Sequence, residues 1–136
     1  MRIHPYLAFE GRCEDAFRFY QDVLGGTIEV MLSYQGSPMA EHVPPDWGGK
    51  IMHACLKLED QMLMGSDVPP EAQEKPQGFH LSLQIADVPA AERVFHALSQ
   101  GGTVRMPLQE TFWALRFGML VDRFGIPWMV NCSRPE

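Results

Sequence analysis

Two short stretches decide how this chain is read: His4-Pro5-Tyr6-Leu7-Ala8-Phe9 and His80-Leu81-Ser82-Leu83-Gln84-Ile85. In the first, Ile3, Pro5, Leu7 and Phe9 alternate with His4, Tyr6 and Ala8. In the second, Phe79, Leu81, Leu83 and Ile85 alternate with His80, Ser82 and Gln84. Period-two alternation marks a strand with one apolar and one mixed face. Carried onward at the same offset without a gap, Phe19 falls on Phe95, and Gly25-Gly26-Thr27 falls on Gly101-Gly102-Thr103. A strand, a helix and a turn in register at one offset indicate an internal duplication.

Each alternating stretch runs into a helical pattern. Cys13, Ala16, Phe17, Tyr20, Val23 and Leu24 recur at helical spacing, and Gly25 suits the residue after the helix end. In the second half Asp87 is an N-cap and Pro89 falls in the first turn, where a missing N–H costs little. Ala91, Val94, Phe95 and Leu98 form the buried stripe. The helices are expected to cover the Ile3/Leu7 and Phe79/Leu83 faces, leaving the faces with His4 and His80 to look elsewhere. Further strands are expected at 27–34, 50–58 and 61–66, then at 103–106, 114–122 and 128–132. Glu59-Asp60 and 122–125 are read as hairpin turns, and Gln35–Gly49, with three prolines, as a loop.

Each half therefore spells β-α-β-β-β. The fold class is α+β: one domain over 1–136, with a first module at 1–67, a proline-rich linker at 68–78 and a second module at 79–136. A length of 136 residues with 46% apolar and 21% charged content suits one globular domain with a true core. A formal charge of −6 without a basic cluster argues against a nucleic-acid partner. No run approaches the roughly 20 apolar residues of a membrane span. The N-terminus has no signal-like apolar region. Cys13, Cys55 and Cys132 read as reduced thiols, which predicts a cytoplasmic protein.

Several segments resemble the vicinal-oxygen-chelate superfamily of glyoxalase I, bleomycin-resistance proteins and extradiol dioxygenases, and within it the PhnB-like branch. They are 5–16 with Phe19-Tyr20, His53-Ala54, Met64-Gly65-Ser66-Asp67, and above all Gln109-Glu110-Thr111-Phe112-Trp113-Ala114 running on through Phe117-Gly118 to 122–131. The resemblance implies two βαβββ modules forming a cupped, partly open mixed β-barrel, a homodimer, and a small-molecule ligand. Some members of the branch carry a demethylubiquinone methyltransferase label, but no glycine-rich nucleotide loop stands here to hold S-adenosylmethionine.

In the superfamily's enzymes, first strands supply His and last strands supply Glu to a divalent metal. Carried over by position, the metal candidates are His4 and His80, while Met64 and Met129 stand where Glu is expected. Thioether sulfur is a poor ligand for such a dication, so the cofactor reading is none or one divalent metal ion. His53, on a middle strand with Ile51 and Cys55, is a candidate general base because imidazole exchanges its proton near neutral pH. Glu110 is the second catalytic candidate. Tyr6, Met64, Asp67, Trp113 and Met129 are candidate substrate-binding residues, the aromatic ones suited to a planar ligand. Arg116 is read as a fork for an acidic group or as the partner of a surface acid, and Trp128 as core. The nine methionines fall mostly in strands as adaptable filler. Two functions follow: an enzyme of the lyase, isomerase or dioxygenase type with an atypical or absent metal, or a non-catalytic sequestering protein of the bleomycin-resistance type.

Overall fold

The computed structural model describes residues 1–135. The chain forms two compact units, Met1–Glu74 and Lys75–Glu136. The first contains β1 (Tyr6–Phe9), α1 (Cys13–Leu24), β2 (Thr27–Ser33), β3 (Ile51–Leu58) and β4 (Gln61–Asp67). The second contains β5 (Leu81–Gln84), α2 (Val88–Ser99), β6 (Thr103–Gln109), β7 (Ala114–Val121) and β8 (Pro127–Ser133). Their sheets have matching orders, β1-β4-β3-β2 and β5-β8-β7-β6. In each, the first strand runs parallel to the last and the remaining pairs are antiparallel. The chain is thus an α+β protein of two βαβββ modules.

One face of each sheet is covered by that unit's helix. In the first, Leu7, Phe9, Ala54, Leu56 and Leu63 are buried together with Cys13, Ala16, Phe17 and Tyr20 of α1. The approach is close: a Cβ on Gly65 would stand 2.9 Å from the Phe17 ring and 2.8 Å from the Leu7 carbonyl. The second unit repeats the device, since a Cβ on Gly118 would stand 2.6 Å from the Phe95 ring. Only glycine lets a phenyl ring settle directly on the strand at these two places.

Phe17 is therefore the counterpart of Phe95, and the gapless alignment of Phe19 with Phe95 is corrected. Buried Cys13, Ala16, Phe17 and Tyr20 match buried Ala91, Val94, Phe95 and Leu98. Helix faces follow a period of about 3.6 residues and strand faces a period of 2. The buried helix stripes therefore need not keep the offset that the strands and turns share.

A second correction concerns the first strands. Ile3 is 92% exposed and Phe79 is 45% exposed, so neither lies beneath a helix. The strands start later, at Tyr6 and Leu81. Pro5 has no N–H to give to a ladder, although its carbonyl still accepts from Met64 N at 3.1 Å.

The loop at 35–49 carries two 3₁₀ turns and buries Trp47. Among the described residues, no helix is long and apolar enough to cross a membrane.

Candidate functional site

Strand pairing places Tyr6, His53, Met64 and Met129 on the helix-free faces. Tyr6 is opposite Met64 on β4, and Met64 is opposite Cys55 on β3. His53, two residues along β3, lies on the same face as Cys55. Tyr6 reaches across β4 to His53: the rings stack with centroids 5.8 Å apart and planes at 20°. The Tyr6 hydroxyl and His53 Nδ1 are 3.1 Å apart. The phenol donates when Nδ1 is bare, and the ring donates when Nδ1 carries the proton. This pair joins a candidate base to a candidate binding residue, and Tyr6 is 52% exposed to whatever approaches. Cys55 and Met62 complete the surface, with sulfurs 3.6 Å apart. Burial pushes the Cys55 thiol up from its ordinary value, with Glu29 adding to the effect.

On the second unit, Ser82 is opposite Met129 and Gln84 is opposite Asn131. Met64 and Met129 thus hold equivalent places, each beside the first strand of its own sheet. Asn131 Nδ2 donates to Gln84 Oε1 at 2.8 Å and to Ser133 Oγ at 3.1 Å, and Gln84 Nε2 donates to Ser82 Oγ at 3.0 Å. Phe117 shares this face, paired with Asn131. Trp113 lies edge-on to Phe117 at 5.4 Å and to Phe112 at 4.8 Å. Phe112 is 89% exposed. The Thr111–Ala114 turn that presents these rings is closed by Thr111 N donating to Ala114 O and Ala114 N donating to Thr111 Oγ1.

Other candidates stand apart from these faces. Asp67 is only 1% exposed. Its Oδ1 accepts from Gly11 N at 2.8 Å and Cys13 N at 2.9 Å, and its Oδ2 accepts from Ile51 N at 2.8 Å. Both oxygens are therefore committed to the backbone on the helix side of the sheet. Glu110 is exposed and pairs with Arg134 at 2.7 Å, while Arg134 also donates to Thr111 O. Arg116 pairs with Glu92 of α2 at 3.2 Å. Trp128 is buried and donates through Nε1 to Asp122 Oδ2 at 2.9 Å. Sequence reasoning missed the Tyr6–His53 contact, the Arg134 clamp and the backbone role of Asp67. All three join positions far apart in the chain, and no local pattern announces them.

The model of the Glyoxalase/Bleomycin resistance protein/Dioxygenase superfamily matches residues 2–130. The chain belongs to this superfamily. Protein YjdN of Escherichia coli (strain K12) is 37% identical over 146 aligned residues, covering 100% of this chain and 98% of that one. The crystal structure of protein PA1353 from Pseudomonas aeruginosa is 48% identical, covers 99% of both chains and superposes with a TM-score of 0.90. The PhnB protein from Bacillus cereus is 27% identical, covering 98% of this chain and 100% of its own, with a TM-score of 0.81.

The divalent metal implied by the superfamily's enzymes does not fit the donors present. His4 and His80 stand ahead of β1 and β5 rather than within them. The last-strand positions beside Tyr6 and Ser82 offer thioethers, Met64 and Met129. Among the described residues, no three of His, Cys, Asp and Glu gather as a metal would need. Oxygen and imidazole donors suit such ions, and a thioether does not.

Proposed function

We propose that this glyoxalase-like protein binds a small, flat organic molecule on the helix-free face of its first sheet, and that Tyr6 and His53 together move a proton on it. The observation that carries the reading is the hydrogen bond between Tyr6 and His53 on the helix-free face that also carries Cys55, Met62 and Met64. A phenol that holds Nδ1 orients the imidazole and leaves Nε2 to exchange a proton with the ligand. The Met64 thioether supplies an adaptable apolar bed for a planar body. On the second unit, Trp113 and Met129 offer a separate apolar surface of the same kind. Glu110, tied to Arg134, holds the Trp113 turn in place. The reading includes a homodimer, as the family likeness suggests.

A second reading is sequestration without chemistry. The exposed rings of Phe112 and Trp113, packed edge-on beside Phe117, favour it, since such rings bind aromatic ligands by contact alone.

A screen of planar carbonyl and aromatic compounds, followed through the His53 ring nitrogens by NMR and through Trp113 fluorescence, tests both. Under the first reading a hit perturbs His53, product appears, and His53→Gln stops turnover while retaining binding. Under the second, a hit quenches Trp113 and returns unchanged. Hits that perturb neither His53 nor Trp113 would refute the site. Sedimentation of the full chain checks the dimer.

A further inference from the structure

We propose that Cys55, Met62 and Met64 form a binding site for a soft monovalent metal ion, Cu(I) or Ag(I), on the helix-free face of the first sheet. This site is distinct from the divalent centre discussed above and does not depend on the proposed reaction.

The three side chains come from two neighbouring antiparallel strands. Met64 is the direct cross-strand partner of Cys55. Met62, two residues along β4, is its diagonal neighbour and shares the face. The Cys55 thiol already points at the Met62 sulfur, with the two 3.6 Å apart. Two sulfurs each about 2.3 Å from one ion, the metal–thiolate distance known from zinc, stand about 3.8–4.0 Å apart in tetrahedral or trigonal geometry. The pair is therefore spaced for chelation before any ion arrives, and the hairpin at Glu59–Asp60 holds both strands in register.

Donor chemistry selects the ion. One thiol and two thioethers are soft ligands, the set that favours Cu(I) over hard cations. Binding breaks the S–H bond of Cys55 and forms a sulfur–metal bond, and the proton passes to water. One thiolate balances one positive charge, so the complex is neutral. Neutrality matters because Cys55 is only 4% exposed, and burying net charge there would be costly. A dication would leave such a charge. No oxidation change is required of the ion or the protein.

The test uses the full-length, tag-free, reduced protein. Ag⁺ is titrated directly, and Cu(I) in competition with a chromogenic chelator. The ε-methyl groups of labelled methionines are followed by NMR. The expected result is one tight ion per chain, with shifts at the Met62 and Met64 methyls. Cys55→Ser should weaken binding by about a hundredfold or more, because losing a ligand costs at least as much as losing a supporting group. Met62→Leu, which keeps the thiol and the apolar volume, should weaken it by about tenfold. Cys13→Ser and Cys132→Ser should leave the tight site intact. Unchanged affinity in Met62→Leu would show an isolated thiol at work and overturn the proposal. So would methionine methyls that do not move, a tight ion retained in Cys55→Ser, or Zn²⁺ binding as tightly as Cu(I).

Discussion

The two units share one topology but start their helices in different ways. In the second, α2 is capped by its own neighbour in sequence: Asp87 Oδ2 accepts from Ala90 N at 3.0 Å. In the first, Arg12 occupies the cap position and its side chain caps nothing. Asp67, from the end of β4, takes over by accepting from Gly11 N and Cys13 N. The same carboxylate anchors Ile51 N at the start of β3, and its backbone carbonyl accepts the Tyr34 hydroxyl at 2.7 Å. The Phe9–Asp67 pairing corresponds in the second sheet to Ile85 beside Cys132, where no carboxylate stands. The second unit buries its acid elsewhere, in the β7–β8 turn. There Asp122 accepts from Phe124 N, Ile126 N and Trp128 Nε1. A buried carboxylate is tolerated where donors saturate it. One unit uses that device to join distant segments, and the other uses it to shape a turn.

This contrast orders the mutational effects. Asp67→Ala strips two segments remote in the chain, the start of α1 and the start of β3, of one shared acceptor and should cost about 3–5 kcal/mol, seen as a lower denaturation midpoint in urea. Asp122→Ala orphans donors within a single turn and its flanking strand. It should cost about 2–4 kcal/mol by the same assay, with Trp128 fluorescence reporting the loosened ring. If Asp122→Ala proves the more damaging, the long-range role given to Asp67 is wrong.

The Asp67 network also has a pH signature. Burial, and then the charges of Asp67 and Glu14, push the Cys13 thiol well above its ordinary value of 9.0. Burial and Asp67 likewise raise the Tyr34 hydroxyl from 10.0. A folded-state value above the unfolded one means the fold keeps a proton that the unfolded chain releases. Stability from Cys13 is therefore complete below pH 9.0 and falls as pH rises further, by about 1.4 kcal/mol per unit while the thiol stays protonated in the fold. Urea midpoints between pH 8 and 10.5 should slope downward, and Cys13→Ala should flatten that slope. An equal slope in the variant would remove Cys13 from the account.

The smallest effect belongs to the local cap. Asp87→Ala should cost about 1 kcal/mol, confined to hydrogen-exchange protection in the first turn of α2. Asp87→Ser should restore most of it.

Much of the fold was legible because its signals are local. Leu7 and Leu83 sit in stretches that alternate an apolar with a mixed face, Asp87 precedes a helical stripe, and Gly25-Gly26 and Gly101-Gly102 punctuate the helix ends. The candidate site was legible only by type. His53 was named from its strand and Tyr6 from the family likeness, but nothing near either residue announces the other. Their contact depends on β4 lying between β1 and β3. Asp67 reads as a strand-end carboxylate facing a ligand until donors 54 and 56 residues away appear beneath it.

By itself, then, the order of residues determined the two βαβββ units, the alternation that separates helix-covered from open faces, and the cap of α2. Each follows from interactions spanning a few residues or from a strict two-residue period. Only the tertiary structure decided that Phe17 rather than Phe19 matches Phe95, that Asp67 serves the backbone, and that Tyr6 meets His53. Those outcomes rest on distances between strands and helices remote in the chain, which no local pattern encodes.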